Sequence, residues 1–589
     1  MRASFIRKGV VALAAAGALV AALVSSPLAT SGAGLSFTLA DVGAFGGEPS
    51  ITSDSNGLLY DTTPSSGAPV YRSTDKGATW TSLKTAWTSS GDDCLATDQA
   101  NALYWCNLGS RSNGIAPLQA DSWKAAGAST CTPTVCSWLH GQGVIASTCS
   151  TSCSVLGVDR QWLAASIIPP ATTTSQSEVV LNYHDFYGPS AIWVNISHDG
   201  GVTFGAAQDV LAGPAFTVNG VTGAITAEGY TFCSTVPAGV GIVPQGKPHA
   251  GRIIVGWIAS DPPSDASGCN FAMAAAFHTL WVAYSDDNGS TWTPQQAFDG
   301  GIGHDASTPF VGFTLDDTGN PYFGFAMNHW DPNPATNLAL TAECAGFSAA
   351  GTEQTHPECE YDMYVVWSNN SGATWDGGGG VIPGSAAAPY AVNAASETGT
   401  HWFPAIAAGD PGQVDVGYLL TPSIEPTDAL GKVDIAGCAG PTTQNPTFPP
   451  PCPWNLYGGQ SLNLTSSPSS ATWQTVNLTG TPMHVGDICN LGIACVGGRT
   501  LADFIQETID PTTGCAHIGY ADNNPASPHN AKLVAANQTS GCLTLAQLNP
   551  QIPETPWAAL LLPAGVLAAG GFLWIARRGK KAVKRNTLT

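Results

Sequence analysis

One short pattern recurs four times in this chain: S-T-D-K-G-A-T-W at 73–80, S-H-D-G-G-V-T-F at 197–204, S-D-D-N-G-S-T-W at 285–292 and S-N-N-S-G-A-T-W at 368–375. A fifth, worn copy reads S-S-P-S-S-A-T-W at 466–473. Recurrence of this kind restricts the chain to copies of one small structural unit. The residue types specify a tight turn. Asp75, Asp199, Asp287 and Asn370 can bond their own downstream backbone N–H groups, and the glycine two residues later can take a positive φ. Trp80, Phe204, Trp292 and Trp375 are then placed to plug apolar gaps between neighbouring sheets. A β-rich run precedes each copy (PVYRS, AIWVNIS, LWVAYS, MYVVWS), so the unit is a β-hairpin.

A second repeat opens each unit with a polar start, a short apolar strand, a turn, and a strand ending near Tyr or Trp. It is found seven times, at 47–62, 91–108, 159–185, 229–261, 308–327, 401–420 and 502–522. Alternation of apolar and polar residues, broken at D-x-x-G, suits half-buried antiparallel strands, and helical periodicity is nearly absent between the two termini. The last unit is one strand short. The run LSFTLADVGAF at 35–45 can supply that strand and close a ring.

The turn pattern resembles the Asp-box, or BNR, repeat of the sialidase superfamily, and the resemblance covers most of residues 40–545. It implies an all-β chain folded as a β-propeller, with seven blades from the openings and six as the alternative, since catalytic sialidases resemble six-bladed wheels. It also implies that the boxes are structural, lying between outer strands away from the active-site mouth. Sialidase-type chemistry, as the family implies it, takes three arginines around the sugar carboxylate, a tyrosine nucleophile assisted by Glu, and an Asp acid/base. Arginine suits the first task because its fork binds a carboxylate at two points.

Both ends read as targeting segments. Arg2, Arg7 and Lys8 precede the apolar run 10–24, so residues 1–33 read as a signal peptide. Residues 34–548 form the propeller ectodomain and 549–556 a Pro-rich spacer. Residues 557–576 carry no charge and are long enough to span a bilayer as a helix. The basic tail 577–589 then places the C-terminus in the cytoplasm and the propeller outside, on a single-pass membrane protein.

The two ends hold nine of the 20 basic residues and none of the 42 acidic ones, which leaves 11 against 42, a net of −31. Such a surface excludes nucleic acid as a partner. The 16 cysteines fit an oxidising exterior and fall into sequence-local couples. These are Cys94/Cys106, Cys131/Cys136, Cys149/Cys153, Cys233/Cys269, Cys344/Cys359, Cys438/Cys452, Cys489/Cys495 and Cys515/Cys542. No Cys or His spacing suits a metal, and no cofactor motif is present.

In a propeller the innermost strands begin at one mouth of the central channel, so their first polar residues meet there. This reading places Glu48, Asp93, Asp159 with Arg160, Glu228, Asp305, His401 and Asp503 on a shared rim, with Arg499 just upstream. A carboxylate-binding triad would have to come from Arg160, Arg252 and Arg499, with Asp159 or Asp503 as acid/base. Arg252 precedes IIVGW, which reads as a second strand, and the family's first arginine motif is replaced by Glu48-Pro49-Ser50-Ile51. Tyr183, Tyr418 and Tyr520 end second strands, where any of them could line the channel, and none is assigned as the nucleophile. Two functions follow: a surface propeller that recognises an extracellular glycan or protein without catalysis, or an exo-acting, sialidase-type glycoside hydrolase.

Overall fold

The computed structural model describes residues from 34 to 545 with interruptions, the longer ones being 125–139, 145–157, 261–276, 329–360, 376–388, 423–434 and 437–452. The expected signal peptide, spacer, membrane helix and tail lie outside the described residues. No helix among the described residues is long and apolar enough to cross a membrane.

The chain is an all-β propeller. Seven sheets have four or more strands. The first comprises Ser50–Ser53, Leu59–Thr62, Val70–Ser73 and Thr81–Leu83, and the second Asp93–Thr97, Ala102–Leu108, Leu118–Lys124 and His140–Val144. The third comprises Val158–Ile167, Ser177–Asp185, Ile192–Ser197 and Gln208–Asp209. The fourth holds Ser234–Ile242, Ile253–Ser260, Phe277–Ser285 and Thr293–Asp299, and the fifth Gly312–Leu315, Pro321–Asn328, Tyr361–Trp367 and Tyr390–Ala391. The sixth is built on Thr400–Ala408, Val414–Thr421, Pro453–Ser461 and Trp473–Asn477. In the seventh, Gln506–Ile509, Ala516–Asp522 and Lys532–Ser540 are joined by Ser36–Asp41 from the other end of the chain. The first strand of each sheet touches that of the next, and the seventh returns to the first, so the circuit closes. Each opening read in the sequence contributes the first two strands of one sheet. The fourth differs in detail: GYTFCS falls largely in a small extra sheet ending Tyr230–Phe232, and the innermost strand starts at Ser234.

Short polar side chains stitch the innermost strands together. Thr97 Oγ1 donates to Ser53 O at 2.7 Å, Ser53 Oγ to Ile509 O at 2.7 Å, and Ser50 Oγ accepts from Leu95 N at 2.9 Å. Where the sheets converge, these short hydroxyls satisfy buried backbone groups of the neighbouring strand, as Gln506 Oε1 does for Ile51 N.

The turn between first and second strands recurs with one design. Asp54 accepts the N–H groups of Asn56 and Leu58 and the Tyr60 hydroxyl; Asp98 does the same for Ala100, Ala102 and Tyr104. Asp316 repeats it with Thr318, Asn320 and Tyr322. In sequence this is an Asp with Tyr six positions on.

The box turns lie between third and fourth strands, as read. Ser73 Oγ accepts Gly77 N at 2.9 Å, and Asp75 accepts Thr79 N at 2.9 Å and Thr79 Oγ1 at 2.6 Å. The same set forms around Asp199 and Asp287. Asn370 substitutes by accepting Thr374 N and donating to Thr374 Oγ1, both at 2.7 Å. Two consecutive residues have positive φ in each box, Lys76 and Gly77 at 59° and 83° for example, so the position before the glycine is also left-handed. The aromatics pack as expected: Trp80 against Val42 and Leu533 of the seventh sheet, Phe204 and Trp292 against the buried core, and Trp375 at 5.5 Å from Phe323. The fifth box is shifted. Its turn runs from Ser461 and Asn463, whose Oδ1 accepts Thr472 N at 2.9 Å, so the worn copy is an intact box with an insertion rather than one beginning at Ser466.

Neighbouring sheets approach closely at a glycine in the second strand. A Cβ on Gly256 would lie 2.7 Å from Phe313, on Gly324 3.2 Å from Ile406, on Gly417 3.0 Å from Ile518, and on Gly519 3.2 Å from Pro49. Each contact is with the following sheet. An aromatic residue follows each glycine (Trp257, Phe325, Tyr418, Tyr520) and is fully buried. Two of the expected disulfides fall on described residues and are formed, Cys94–Cys106 directly across a strand pair and Cys515–Cys542. The other six couples include residues outside the description.

Gly256→Ala is expected to lower unfolding free energy by about 1–3 kcal/mol, since its Cβ would press on the rings of Phe313 and Phe323, both fully buried. Gly34→Ala, where nothing lies within 4 Å, leaves the denaturant midpoint unchanged. Chemical denaturation of the two variants beside the parent measures both.

Candidate functional site

Strand direction fixes which face is which. First strands enter from one face, and both the first turn of each sheet and its box lie on the other. The mouth is therefore formed by the segments leading into first strands and by the far ends of second and third strands.

The best-defined polar cluster at this mouth is built on the sixth sheet. His401, the second residue of the innermost strand, is fully buried. Its Nδ1 lies 2.6 Å from Tyr361 O, and its Nε2 3.1 Å from Glu397 Oε1. A carbonyl can only accept, so Nδ1 carries a proton. Nε2 then faces a carboxyl oxygen that also accepts the Tyr418 hydroxyl at 3.1 Å. For the imidazole and the carboxyl to bond, one further proton must sit between them, giving either an imidazolium–carboxylate or an imidazole–carboxylic acid pair. Thr475 Oγ1 approaches Glu397 Oε2 at 3.4 Å, and Tyr457 stacks on Tyr418 with centroids 5.8 Å apart. Burial raises the Tyr418 phenol well above its usual range, and the neighbouring Glu397 charge adds to this, so it is a hydroxyl donor and not a phenolate. The Glu397 side chain is 19% exposed, and Tyr457 and Thr475 are partly exposed beside it, so these three members of the cluster can be reached by solvent or a ligand, whereas His401 and Tyr418 are buried. Sequence reading missed Glu397. The only trace is an acidic residue four positions before His401, in the segment A-A-S-E-T-G-T.

The other rim residues divide. Asp93 is buried, with Oδ1 accepting Trp105 Nε1 at 3.0 Å and Oδ2 accepting Thr62 Oγ1 at 3.5 Å, so it ties two sheets together. Glu48 is 4% exposed, with φ at 56°. Neither presents a free carboxylate to the channel. Asp159 and Arg160 lie in the innermost strand of the third sheet, where pairing shifts register between Asp159 and Trp162, and their side chains lie outside the description. Glu228, Asp305, Arg499 and Asp503 also lie outside it. Tyr183, Tyr418 and Tyr520 are all fully buried, and Tyr418 bonds a carboxyl group, that of Glu397.

Arg252 is a correction. It sits at the start of the second strand of the fourth sheet, on the box face and away from the mouth. Its guanidinium grips Asp286 through Nε at 2.8 Å and Nη2 at 2.7 Å, donates from Nη1 to Ser371 O at 3.1 Å, and lies 4.1 Å over the Tyr284 ring. The side chain is 6% exposed, and its charge holds the Asp286 carboxyl below the usual range. This is a latch between the fourth and fifth sheets. The expected triad of Arg160, Arg252 and Arg499 cannot form, because Arg252 is bound to the opposite face.

A cavity of about 520 Å³ opens on that same box face, between His249, Asn320, Asn370 and Pro411. Its amides are already committed: Asn320 donates to Asp316 and Thr318, and Asn370 bonds Thr374. The cavity is not at the mouth.

No family model matches the chain, and no curated protein matches it by sequence. Solved structures that resemble it include a lectin, BP39L from Burkholderia pseudomallei, at 11% identity and a TM-score of 0.39, covering 87% of this chain and 99% of that one. Another is a polysaccharide lyase of family PL25, an ulvan lyase, at 11% identity and a TM-score of 0.37, covering 75% of this chain and 96% of the other. A third is the intramolecular trans-sialidase from Ruminococcus gnavus, at 12% identity and a TM-score of 0.32, covering 83% and 93%. At these levels the likenesses carry no functional argument.

Arg252→Ala removes a buried guanidinium and leaves Ser371 O without its donor. It is expected to cost about 2 kcal/mol of stability by denaturant titration while leaving ligand binding at the mouth intact. A binding loss with no stability loss would return Arg252 to the site.

Proposed function

We propose that this chain is an extracellular, membrane-anchored propeller of sialidase-superfamily type that recognises a glycan at its mouth without hydrolysing it. The observation that carries the reading is the locked position of Arg252, which breaks the arginine triad that an acidic-sugar hydrolase would require. Two further features support it. The net charge of −31 between the two ends repels sialylated or uronic ligands over the Debye distance. The Glu397 carboxyl, backed by His401 and flanked by Tyr418, Tyr457 and Thr475, suits sugar hydroxyls, which donate to a carboxylate and rest their C–H face on an aromatic ring. The ligand class is therefore a neutral glycan. The basic-then-apolar segment 1–33 and the uncharged apolar run 557–576 support the reading of an extracellular propeller on a single C-terminal anchor.

The hydrolase alternative draws on one contact, the Tyr418 hydroxyl donating to Glu397, since a tyrosine assisted by Glu is what the family resemblance implies for the nucleophile. Burial of Tyr418 weighs against it, because a nucleophile must reach an anomeric carbon.

Purified protein is expected to release no fluorophore from a sialoside substrate between about pH 4 and about pH 8, and to bind neutral oligosaccharides on a glycan array. Glu397→Gln is expected to weaken that binding by about tenfold, the loss of one charge-assisted hydrogen bond. Turnover of the sialoside that Tyr418→Phe abolishes would establish the hydrolase instead.

A further inference from the structure

The seventh sheet is the one on which closure depends, because it joins Ser36–Asp41 to Lys532–Ser540 from opposite ends of the chain. Three buried carboxyl groups, Asp61, Asp415 and Glu507, stand at its two seams, and none of the three is bonded to a cation among the described residues. On the side of the first sheet stands Asp61, fully buried, with no side-chain partner for either carboxyl oxygen among the described residues and only the neighbouring Thr62 N–H near it. It faces Gly519 of the seventh sheet, where a Cβ would come 3.4 Å from its Oδ2. At the seam with the sixth sheet stand Asp415 of that sheet and Glu507 of the seventh sheet's own first strand. Asp415 is held by Gln460 Nε2 at 3.1 and 3.3 Å, and Glu507 Oε2 accepts only Gly417 N, at 2.9 Å.

From this arrangement we infer that the seventh sheet is a pH-sensitive clasp, closed while Asp61, Asp415 and Glu507 are protonated and loosened when they ionise. A carboxylic acid can remain in an apolar seam, whereas a carboxylate without a counter-charge cannot.

The groups around the seam do not compensate. Across from Asp61 in its own sheet stands Tyr71, whose phenol is raised by burial and by Asp61; Pro49 and Gly519 bring no charge. Asp415 and Glu507 face each other's charge, Gln460 and a backbone N–H. Within the seventh sheet, burial keeps His517 neutral, bonded to Asn537 Oδ1 at 2.8 Å. Lys76 is taken by Asp510 at 2.7 Å, and His529 and Lys532 both turn to Asp41. Burial raises Asp61 and Glu507 well above the ordinary carboxylate range and Asp415 to about 8, Glu507 being raised further by Asp415.

The direction of the effect follows from proton counting. A carboxyl whose folded pKa is raised binds a proton that the unfolded chain has released. Its contribution to stability is complete below the ordinary value near 3.8 and is lost as pH rises through the folded value, about 8 for Asp415. Asp75, Asp287 and Asp510, whose carboxyls are lowered, act oppositely in strong acid, and the buried His517 imidazole, also lowered, acts oppositely below its ordinary value near 6.5. The clasp is therefore tightest in mild acid.

Hydrogen exchange of the full chain at about pH 5 and about pH 8.5, corrected for intrinsic rates, tests this. Peptides spanning 36–41, 506–522 and 532–540 are expected to lose protection with rising pH, by up to about tenfold per pH unit for each carboxyl that ionises on opening. Peptides of the second and fourth sheets should hold theirs. Asp61→Asn, Asp415→Asn and Glu507→Gln together should abolish the difference, and Asp61→Asn alone, which is isosteric, should reduce it. Uniform loss across all sheets, no loss in the seventh, or an unchanged pH response in Asp61→Asn would overturn the clasp.

Discussion

Close approach of one sheet's backbone to the next sheet's side chains is the constraint on which the rest of this structure depends. Gly256, Gly324, Gly417 and Gly519 each stand where any Cβ would press on the following sheet. The adjoining aromatic residue fills the other face of the same strand. Sheets that pack this tightly at a common radius must fan around an axis, and Ser and Thr near that axis join one innermost strand to another. The box turns act farther out. Their left-handed pair of residues folds the third strand back on itself while the closing aromatic wedges against core or neighbour. A ring of this type has no free sheet edge at its seam only if its two ends meet, which is the work of Ser36–Asp41.

Closure brings its own electrostatic problem. The chain is strongly acidic between its two ends and has few cations to distribute, so carboxyl groups in seams are satisfied by backbone N–H groups, tyrosine hydroxyls or a shared proton. Asp54, Asp98 and Asp316 follow the first two routes, each capping a turn with two N–H groups and a phenol. Even so, burial lifts Asp316 to about 6. The Glu397–His401 pair follows the third route at the mouth. The same scarcity explains why Arg252 is spent on holding sheets together: it bridges Asp286 to the next box at a seam where neutral groups would leave Ser371 O unmet.

Features held by bonds within a few residues were legible in the sequence. The boxes at Asp75, Asp199, Asp287 and Asn370 form as read because serine, Asx and threonine bond one another over four positions. The fifth was misplaced because an insertion separates Asn463 from Thr472, and spacing alone cannot register a looped-out segment. Rim residues were harder. Asp93 and His401 were singled out for polarity at strand starts, which is correct, but polarity does not distinguish a residue that faces a ligand from one that bonds Trp105 or Tyr361. Glu397 belongs to no repeat and left no pattern to find.

The sequence by itself determined the repeated unit, the all-β character, the strand that closes the ring and the cysteine partners at 94/106 and 515/542, because each rests on periodicity, turn chemistry or short chain separation. Tertiary structure alone decided which face each side chain serves. Arg252 and His401 both lie at strand ends and look alike in one dimension. The side of the sheet and the direction of the strand put the first in a latch beneath the wheel and the second beside Glu397 at its mouth. The Arg252 assignment arises from contacts with Asp286 and Ser371, 34 and 119 positions away. The His401 assignment arises from Tyr361 O, 40 positions away, as much as from the nearby Glu397, and no local pattern encodes the long-range contacts.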